Sequence, residues 1–311
     1  MRISRMSSLL AASLTLLASS CTYNYFEGGS NYKVFVPELL EGSIADCRVL
    51  IYDNVSGALV ADASATPQTV ADGLGAEGLF AFQLEEGDYK VCVLTGTESV
   101  DIDPASSLDA AKFSLKPVQA PRPNSFGATG PLSFDYIMRP YDGVTETIDT
   151  AALKFYPARI DVRYRGTETP LDAVASANIS VSNTGIVQPL AADTLTVAPE
   201  DSRAFFSYAA PEKYPADADG AVYQFTTWLF PTPENTEMAL SLTFCDASGN
   251  GINSFSCRLT DSSTGQPLRL LCGQRAVIDI YNHGITISIG GWSTDISGGN
   301  TEIEGGKHTQ Q

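Results

Sequence analysis

Imidazoles, which most often carry acid–base and metal chemistry near neutral pH, are scarce in this chain. Its 311 residues contain two histidines, His283 and His308, and neither lies near a candidate nucleophile. No Gly-x-Ser-x-Gly elbow and no phosphate-binding loop is present. With 36 acidic residues, spacing alone cannot identify a pair of glycosidase carboxylates. The sequence therefore predicts a protein without catalysis and without a cofactor.

Two acidic segments have oxygen side chains at spacings that could hold a cation. Residues 246–251 (DASGNG) resemble the first half of a calcium-binding loop, with glycine at the sixth position. The twelfth position is Cys257, where such a loop needs a bidentate glutamate, so a hairpin turn with positive φ at Asn250-Gly251 is the better interpretation. The other segment, interpreted as a solvated loop, contains Asp101, Asp103 and Asp109. No metal site is therefore predicted.

The N-terminus has the layout of a secretory signal peptide over residues 1–20. Two arginines precede a short apolar run at residues 9–18, and small residues follow. That run is shorter than the roughly 20 apolar residues that cross a bilayer, and no later segment is long and apolar enough. Residues 17–21 (LASSC) resemble the bacterial lipobox, in which a signal peptidase cuts before a cysteine that is then lipidated. We expect acyl chains such as palmitate on Cys21 and a short tether over residues 21–32; an unmodified cysteine is the alternative.

The charge of the chain is strongly negative. Its 36 acidic residues face 19 basic ones, a net charge of −17, which becomes −19 without the signal peptide. Such a body repels nucleic acid and anionic lipid headgroups, which excludes these classes of partner.

Five cysteines remain besides Cys21. Cys47 and Cys92 lie on predicted strands of one domain, and Cys245 and Cys257 flank the predicted Asn-Gly hairpin. Because export places them outside the cytoplasm, each pair could form a disulfide, with Cys272 left over. Buried free thiols are the alternative, and no Cys-x-x-Cys spacing indicates zinc.

Short runs rich in Val, Ile, Leu, Phe and Tyr, bounded by Gly, Asp and Asn, indicate strands. They are residues 33–36, 48–52, 79–84, 89–94, 153–164, 178–182, 222–230, 238–245, 252–259, 275–281 and 284–292. Apolar residues alternate with polar ones in several runs, as around Ile160 and Val162, which is typical of sheets with one solvated face.

We predict an all-β fold of two antiparallel β-sandwich domains. The first spans residues 33–145 and the second residues 152–296, because prolines, glycines and threonines interrupt the strands between residues 139 and 152. Residues 297–311 are predicted to be a flexible polar tail. Two local expectations are a short helix over residues 104–113 and a tight turn at Gly87.

Segments in both predicted domains carry a family resemblance. The first domain has CRVLIYD at residues 47–53, GALV at residues 57–60 and FQLEEGDYKV at residues 82–91. The second closes with LLCGQRAVIDI at residues 270–280, then ITISI and Trp292. With the Cys21 motif, these segments resemble the fimbrillin and fimbrium-anchor lipoproteins of Bacteroidetes, although Ser293-Thr294 follows the Trp in place of an Asn-Asp pair.

The resemblance implies transthyretin-like, Greek-key sandwiches and structural work in a fimbrium or pilus that serves cell adhesion. The partners would be fimbrial subunits, joined by addition of a strand to an open sheet edge. The location would be the outer membrane, lipid-anchored and facing the surface. Shaft subunits of this class lose an N-terminal strand after an Arg or Lys; residues 21–32 contain neither, and Lys33 already begins the first strand. The anchor role is therefore favoured over the shaft role.

Two other functions and one modification are compatible with the sequence. A surface glycan-binding lipoprotein is the main alternative, although Trp228 and Trp292 are few for a sugar-stacking platform. A hydrolase would need paired acids in a cleft between the domains. Thr150 and Thr194 each follow an Asp and precede an aliphatic residue, which resembles the O-glycosylation motif of exported Bacteroidetes proteins.

Overall fold

The structure, a computed structural model, describes residues 29–41, 44, 46–65, 78–119, 124–166, 169, 173–191, 203–209, 212–213, 223–233, 236–260, 266–282, 284–291 and 307–310. Within these ranges the chain is mainly β-strand, with one short helix α1 (Pro37–Leu40) and a 3₁₀ turn (Thr97–Ser99). This confirms the predicted all-β class. Neither described helix has the length and apolar content that crossing a bilayer would need.

The strands follow one another closely along the chain. Those up to residue 155 are β1 (Tyr32–Phe35), β2 (Cys47–Asp53), β3 (Leu59–Ala65), β4 (Leu79–Phe82), β5 (Glu86–Thr95), β6 (Val100–Asp103), β7 (Lys112–Leu115), β8 (Ser125–Phe126), β9 (Ser133–Asp142), β10 (Thr147–Thr150) and β11 (Lys154–Phe155). The later strands are β12 (Ala158–Tyr164), β13 (Ser176–Ser182), β14 (Val187–Pro189), β15 (Arg203–Ala209), β16 (Glu212–Lys213), β17 (Tyr223–Leu229), β18 (Ala239–Cys245), β19 (Gly251–Arg258), β20 (Gln274–Tyr281), β21 (Gly284–Gly291) and β22 (Lys307–Gln310).

Sheets 1 and 2 enclose the first hydrophobic core. Sheet 1 has the strand order β10-β1-β4 and sheet 2 the order β11-β9-β5-β2-β3. Along β5, Tyr89, Val91 and Val93 face this core, whereas Cys92 and Leu94 face a different one on the opposite side of sheet 2. Because both faces of sheet 2 are covered, β5 is buried without alternation from Tyr89 to Thr95, as expected for a strand with a core on each side.

Sheets 4 and 5 form the second sandwich. Sheet 4 has the order β16-β17-β12-β20-β21-β22 and sheet 5 the order β19-β18-β13-β15-β8. The alternation predicted in β12 is observed, since Ile160, Val162 and Tyr164 lie in the core between these sheets. Most pairings are antiparallel, but β1 with β10, β12 with β20 and β8 with β15 run parallel.

A third core contains residues from both sides of the predicted domain boundary. Sheet 3, with the order β14-β7-β6, covers the outer face of sheet 2. Here the rings of Phe113, Tyr156 and Phe230 meet edge to face, with centroids 5.0 to 5.6 Å apart. Strands β8 and β14 also pair across the halves, with β15 and β7 respectively. The division into residues 33–145 and 152–296 stays a prediction.

Three local expectations were wrong. Residues 104–113 form no helix, because Ala105 has a φ of +36° and the chain turns into β7 instead. Gly87 lies inside β5, opposite Tyr141, where a Cβ would come within 3.2 Å of the Tyr89 ring. The predicted interruption after residue 139 contains the end of β9 and all of β10. Pro140 is tolerated there because, among described strands, only β5 pairs with β9 at that position.

The predicted flexible tail also differs in its last residues. Strand β22 pairs antiparallel with β21, Lys307 opposite Ser288 and Gln310 opposite Ile285. Residues 297–306 lie outside the described part of the chain.

Candidate functional site: the N-terminal strand and the open sheet edges

Strand β1 begins the described fold and lies in the middle of sheet 1. All four of its residues pair on both sides, with β10 in parallel and with β4 in antiparallel orientation. Lys33, the basic residue after the predicted tether, is opposite Ile148 and Ala81 and is only 6% exposed. Because it is buried between two strands, its peptide bond is inaccessible to a trypsin-like protease in the folded protein.

Asn31, the residue just before β1, is held in place by several hydrogen bonds. Its side-chain NH₂ group donates to the carbonyl oxygens of Leu84 (2.8 Å) and Gly143 (3.0 Å). Its amide oxygen accepts from the Leu84 N–H at 2.9 Å, and its main-chain oxygen accepts from the Tyr141 hydroxyl at 3.0 Å. An asparagine with its amide donors and acceptor engaged acts as a fixed connector, so the chain enters β1 in one position.

A buried carboxylate joins β1 to two other strands. The Tyr32 hydroxyl donates to Asp149 Oδ2 at 2.7 Å, and the Arg139 guanidinium donates to both carboxylate oxygens, with Nε at 2.7 Å from Oδ2. Burial, followed by the hydrogen bond to Asp149, raises the pKa of Tyr32. A buried carboxylate with a bidentate arginine and a phenol is well satisfied. The arrangement ties the first strand to sheet 2.

Strand β19, unlike the central strand β1, has an open outer edge among the described strands. Strand β19 is the terminal strand of sheet 5, and none of the described strands pairs with its outer side. It is eight residues long, its inward Phe255 and Cys257 pack on the second core, and its outward Ser254 and Ser256 contact the hydroxyls of β18. A row of main-chain groups of this length is a template to which another strand can pair.

The structure forms neither of the two disulfides suggested by the sequence; the five described cysteines are free. Cys47 and Cys92 face opposite sides of sheet 2, in the first and third cores respectively. Cys245 is opposite Gly251, whereas Cys257 is opposite Leu240. Five residues of strand, about 17 Å, therefore separate the positions along the hairpin, far beyond disulfide reach. Burial raises the pKa of Cys92 to about 12 and that of Cys257 to about 11.

The acidic segments form turns and strand ends rather than a metal centre. Asp246 Oδ1 accepts from the N–H groups of Ser248 (2.8 Å) and Asn250 (2.9 Å), and this closes the β18–β19 hairpin predicted from the sequence. The positive φ is at Gly249, not at Asn250-Gly251. Asp101 and Asp103 are exposed on β6, and Asp109 is exposed in the following turn. Among the described residues, no group of three or more His, Cys, Asp or Glu could hold a metal ion.

The remaining predicted positions are dispersed. Thr150 is exposed at the end of β10, directly after the buried Asp149. Trp228 stacks on Phe155 at 6.1 Å, with the Arg159 guanidinium 6.0 Å from its ring centre. His308 lies on β22. Outside the described residues lie Cys21, Thr194, His283 and Trp292.

Sequence reasoning missed the residues that hold β1. Asn31 stood in the predicted tether, Arg139 at the predicted boundary, and Asp149 was interpreted only as part of an Asp-Thr-Ala motif. The detectable signal was a single aspartate within a short β-branched run, as in Thr147–Thr150.

Comparison with known proteins shows a shared fold. No protein-family model matches the chain, and no curated protein matches it by sequence. A candidate polysaccharide-binding protein from Bacteroides thetaiotaomicron superposes with a TM-score of 0.52 at 14% identity, covering 82% of this chain and 95% of that one. A candidate adhesin from Bacteroides ovatus gives a TM-score of 0.51 at 13% identity, covering 75% and 84%.

The fimbrial anchor protein Mfa2 from Porphyromonas gingivalis is also among the similar structures, with a TM-score of 0.47 at 14% identity, covering 85% of this chain and 98% of that one. The resemblance drawn from the sequence is thus confirmed for the fold: the chain has the all-β architecture of Bacteroides proteins described as candidate adhesins and polysaccharide-binding proteins.

Proposed function

We propose that the protein is a non-catalytic structural lipoprotein of a cell-surface fimbrium, held in the outer membrane through Cys21 and serving as its anchor. The observation that carries the proposal is the position of Lys33, buried in the central strand of sheet 1. A subunit that joins its neighbours by losing its first strand needs a cleavable basic residue before or within that strand. Here that residue is inaccessible, so the fold keeps its connection to the N-terminus.

The hydrogen bonds before β1 support a permanent connection. Asn31 and Tyr32 are hydrogen-bonded to several segments of the first half, so β1 cannot leave without breaking these bonds, including the one to the buried Asp149 carboxylate. A lipidated chain transmits its membrane attachment through this segment. Strong fixation is what an anchor requires, whereas a strand meant for exchange would be weakly held.

We propose that partners bind by adding a strand to an open sheet edge. The eight-residue edge of β19 offers the main-chain groups for this pairing. Its outward side chains are hydroxyls at Ser254 and Ser256, so no charged side chain in this stretch would repel an incoming strand. Affinity would come from main-chain hydrogen bonds and register from alternate side chains.

The mature protein isolated from its native membrane tests the anchor role. We expect its N-terminal residue to be an acylated Cys21, detected by mass spectrometry, and fimbrial subunits to copurify with it. A mature chain that begins at Val34 would contradict the proposal. Cys21→Ala should move the protein from the membrane to the soluble fraction, whereas Cys272→Ala, at an exposed cysteine, should leave it membrane-bound.

Glycan binding is the second candidate function. One protein of the same fold is described as a candidate polysaccharide-binding protein, and Trp228 of β17 forms a stacked aromatic pair with Phe155 of β11. Aromatic rings of this kind stack on sugars. Retention on immobilised polysaccharide, lost in Trp228→Ala and without copurifying fimbrial subunits, would favour this function over the anchor role.

A further inference from the structure

Two turns of the first half share one sequence pattern and one set of aspartate hydrogen bonds. They are Asp53-Asn54-Val55-Ser56 and Asp142-Gly143-Val144-Thr145. In the first, Asp53 Oδ1 accepts from the N–H groups of Val55 (3.2 Å) and Ser56 (2.6 Å) and from the Ser56 hydroxyl. In the second, Asp142 accepts from the N–H groups of Val144 (2.9 Å) and Thr145 (2.8 Å) and from the Thr145 hydroxyl.

Each of these turns presents a valine to solvent. Val55 is 83% exposed and Val144 is 80% exposed, the two most exposed large apolar residues of the described chain. Because the turn's own aspartate fixes the main chain, each valine is held outward at its tip instead of folding back on the sheet. We call the pair the valine turns.

The valine turns lie at the same end of sheet 2. The segment Glu85–Asp88 lies between them, since the Asn54 N–H donates to the Asp88 carbonyl at 2.7 Å. On the other side, Gly143, with a φ of +74°, approaches so closely that a Cβ would lie 2.7 Å from the Glu86 nitrogen. The two tips therefore project from one surface, beyond the ends of β2 and β9.

The start of the described chain lies at that end too. Asn31 donates to the Gly143 carbonyl of the second valine turn at 3.0 Å, and the N–H of Thr147 donates to the Asn31 carbonyl. From Gly29 back to Cys21 there are eight residue steps, which span at most about 29 Å when fully extended. A lipidated Cys21 would thus keep this end of the protein close to the bilayer.

From these positions we infer that the valine turns contact the membrane surface; the inference rests on the proposed lipid attachment at Cys21. Two apolar tips on one surface, held near a bilayer by the tether, insert into the headgroup region of a neutral lipid. Contact there would set the strands of sheet 2 end-on to the membrane and direct the second half away from it.

The charges around the tips restrict the kind of lipid. Besides the exposed Asp142 of the second turn, four exposed carboxylates lie next to the valine turns: Glu85, Glu86, Asp88 and Glu146. Anionic headgroups repel them, so the surface that fits is zwitterionic, and anionic lipid weakens the contact.

Hydrogen exchange on the intact lipoprotein tests this inference. The full lipidated chain is reconstituted into phosphatidylcholine vesicles and compared with the soluble Cys21→Ala variant. We expect main-chain amides of both valine turns to exchange at least fivefold more slowly on vesicles. The turn between β18 and β19 in the second half, where Asp246 likewise accepts from main-chain N–H groups, is the internal control and should exchange at equal rates.

A double variant, Val55→Ser with Val144→Ser, keeps the turn hydrogen bonds and removes the apolar tips. It should remain on the vesicles through Cys21 and lose the protection of both turns. Equal exchange on vesicles and in solution, with the protein still attached, would overturn the inference but leave the proposed anchor intact. Protection that persists in the double variant would also overturn it. A wild-type protein that does not sediment with vesicles would refute lipid attachment, and the inference with it.

Discussion

Asp149 in the first half and Asp161 in the second are both buried aspartates paired with arginine. Asp149 connects strands of two sheets, whereas Asp161 connects strands of one sheet. Asp149 lies on β10 and binds Tyr32 of β1 and Arg139 of β9, so it joins sheet 1 to sheet 2. Asp161, 0% exposed, lies on β12 and binds Arg275 of β20 (2.6 Å), Thr226 of β17 (2.7 Å) and Arg159 of its own strand (2.9 Å). All of its partners lie within sheet 4.

The difference shows how the same chemistry serves two purposes. Around Asp161 the charges unite three adjacent strands that already share ladders of main-chain hydrogen bonds. Around Asp149 they fix the first strand of the fold, which is only four residues long. Removing one member of a buried pair leaves an uncompensated charge in a site with little water. We expect loss of Asp161 to weaken the whole fold and loss of Asp149 to release one end of it.

The largest effect should come from Asp161→Ala. The variant leaves Arg159 and Arg275 half-buried without their shared carboxylate, so we expect a loss of about 3–5 kcal/mol in the free energy of unfolding. Urea denaturation followed by circular dichroism measures it. Arg258→Ala, which removes the pair with Glu237 at a guanidinium that is 76% exposed, is the control and should change stability by under about 0.5 kcal/mol. Equal effects of the two variants would contradict the role given to Asp161.

Asp149→Asn should have a smaller effect on global stability and a larger local one. The amide cannot accept from Arg139 and Tyr32 as the carboxylate does, so we expect a loss of about 2–3 kcal/mol. Trypsin should then cleave after Lys33 several times faster than in the wild type, which a digestion time course with mass spectrometry measures. Unchanged cleavage in a variant that is less stable would show that Asp149 does not hold β1.

Tyr156→Phe tests whether the two halves behave independently. The Tyr156 hydroxyl donates to Gln188 Oε1 at 2.8 Å in the third core, so its removal should cost about 1 kcal/mol. If this core couples the halves, calorimetry should show a single transition shifted to lower temperature. Tyr281→Phe, at an exposed tyrosine, should leave the transition unchanged. Two separate transitions in the wild type would contradict the coupling.

The exposed turn aspartates should give the smallest effect, and that effect should depend on pH. Hydrogen bonds from Thr145 and Val144 lower the pKa of Asp142 from its ordinary 3.8 to about 2. A lowered pKa in the folded state contributes stability above the unfolded pKa near 3.8, which is lost as the pH falls through about 2. Asp142→Asn should therefore be slightly less stable than the wild type at pH 7, with the difference vanishing near pH 2. A difference in urea midpoint that is the same at both pH values would contradict this.

Strand positions were accessible from the sequence because they depend on local patterns. The runs predicted at residues 48–52, 178–182 and 275–281 appear as β2, β13 and β20 within a few residues. Strand β3 was missed because its inward positions are alanines, which give little β signal, and β9 because it contains Pro140. Pairing could not be predicted in the same way, since it depends on which distant strand covers which edge.

The sequence by itself determined the all-β class, the hairpin at Asp246 and the shortage of groups for catalysis, because composition, alternation and turn residues act over a few neighbours. Only the tertiary structure decided that β1 is a central strand and that Cys47 and Cys92 face opposite cores. It also brought Tyr32 to Asp149, 117 positions away along the chain. Contacts between residues so far apart in the sequence arise from the packing of whole sheets, and they cannot be predicted from a local sequence pattern.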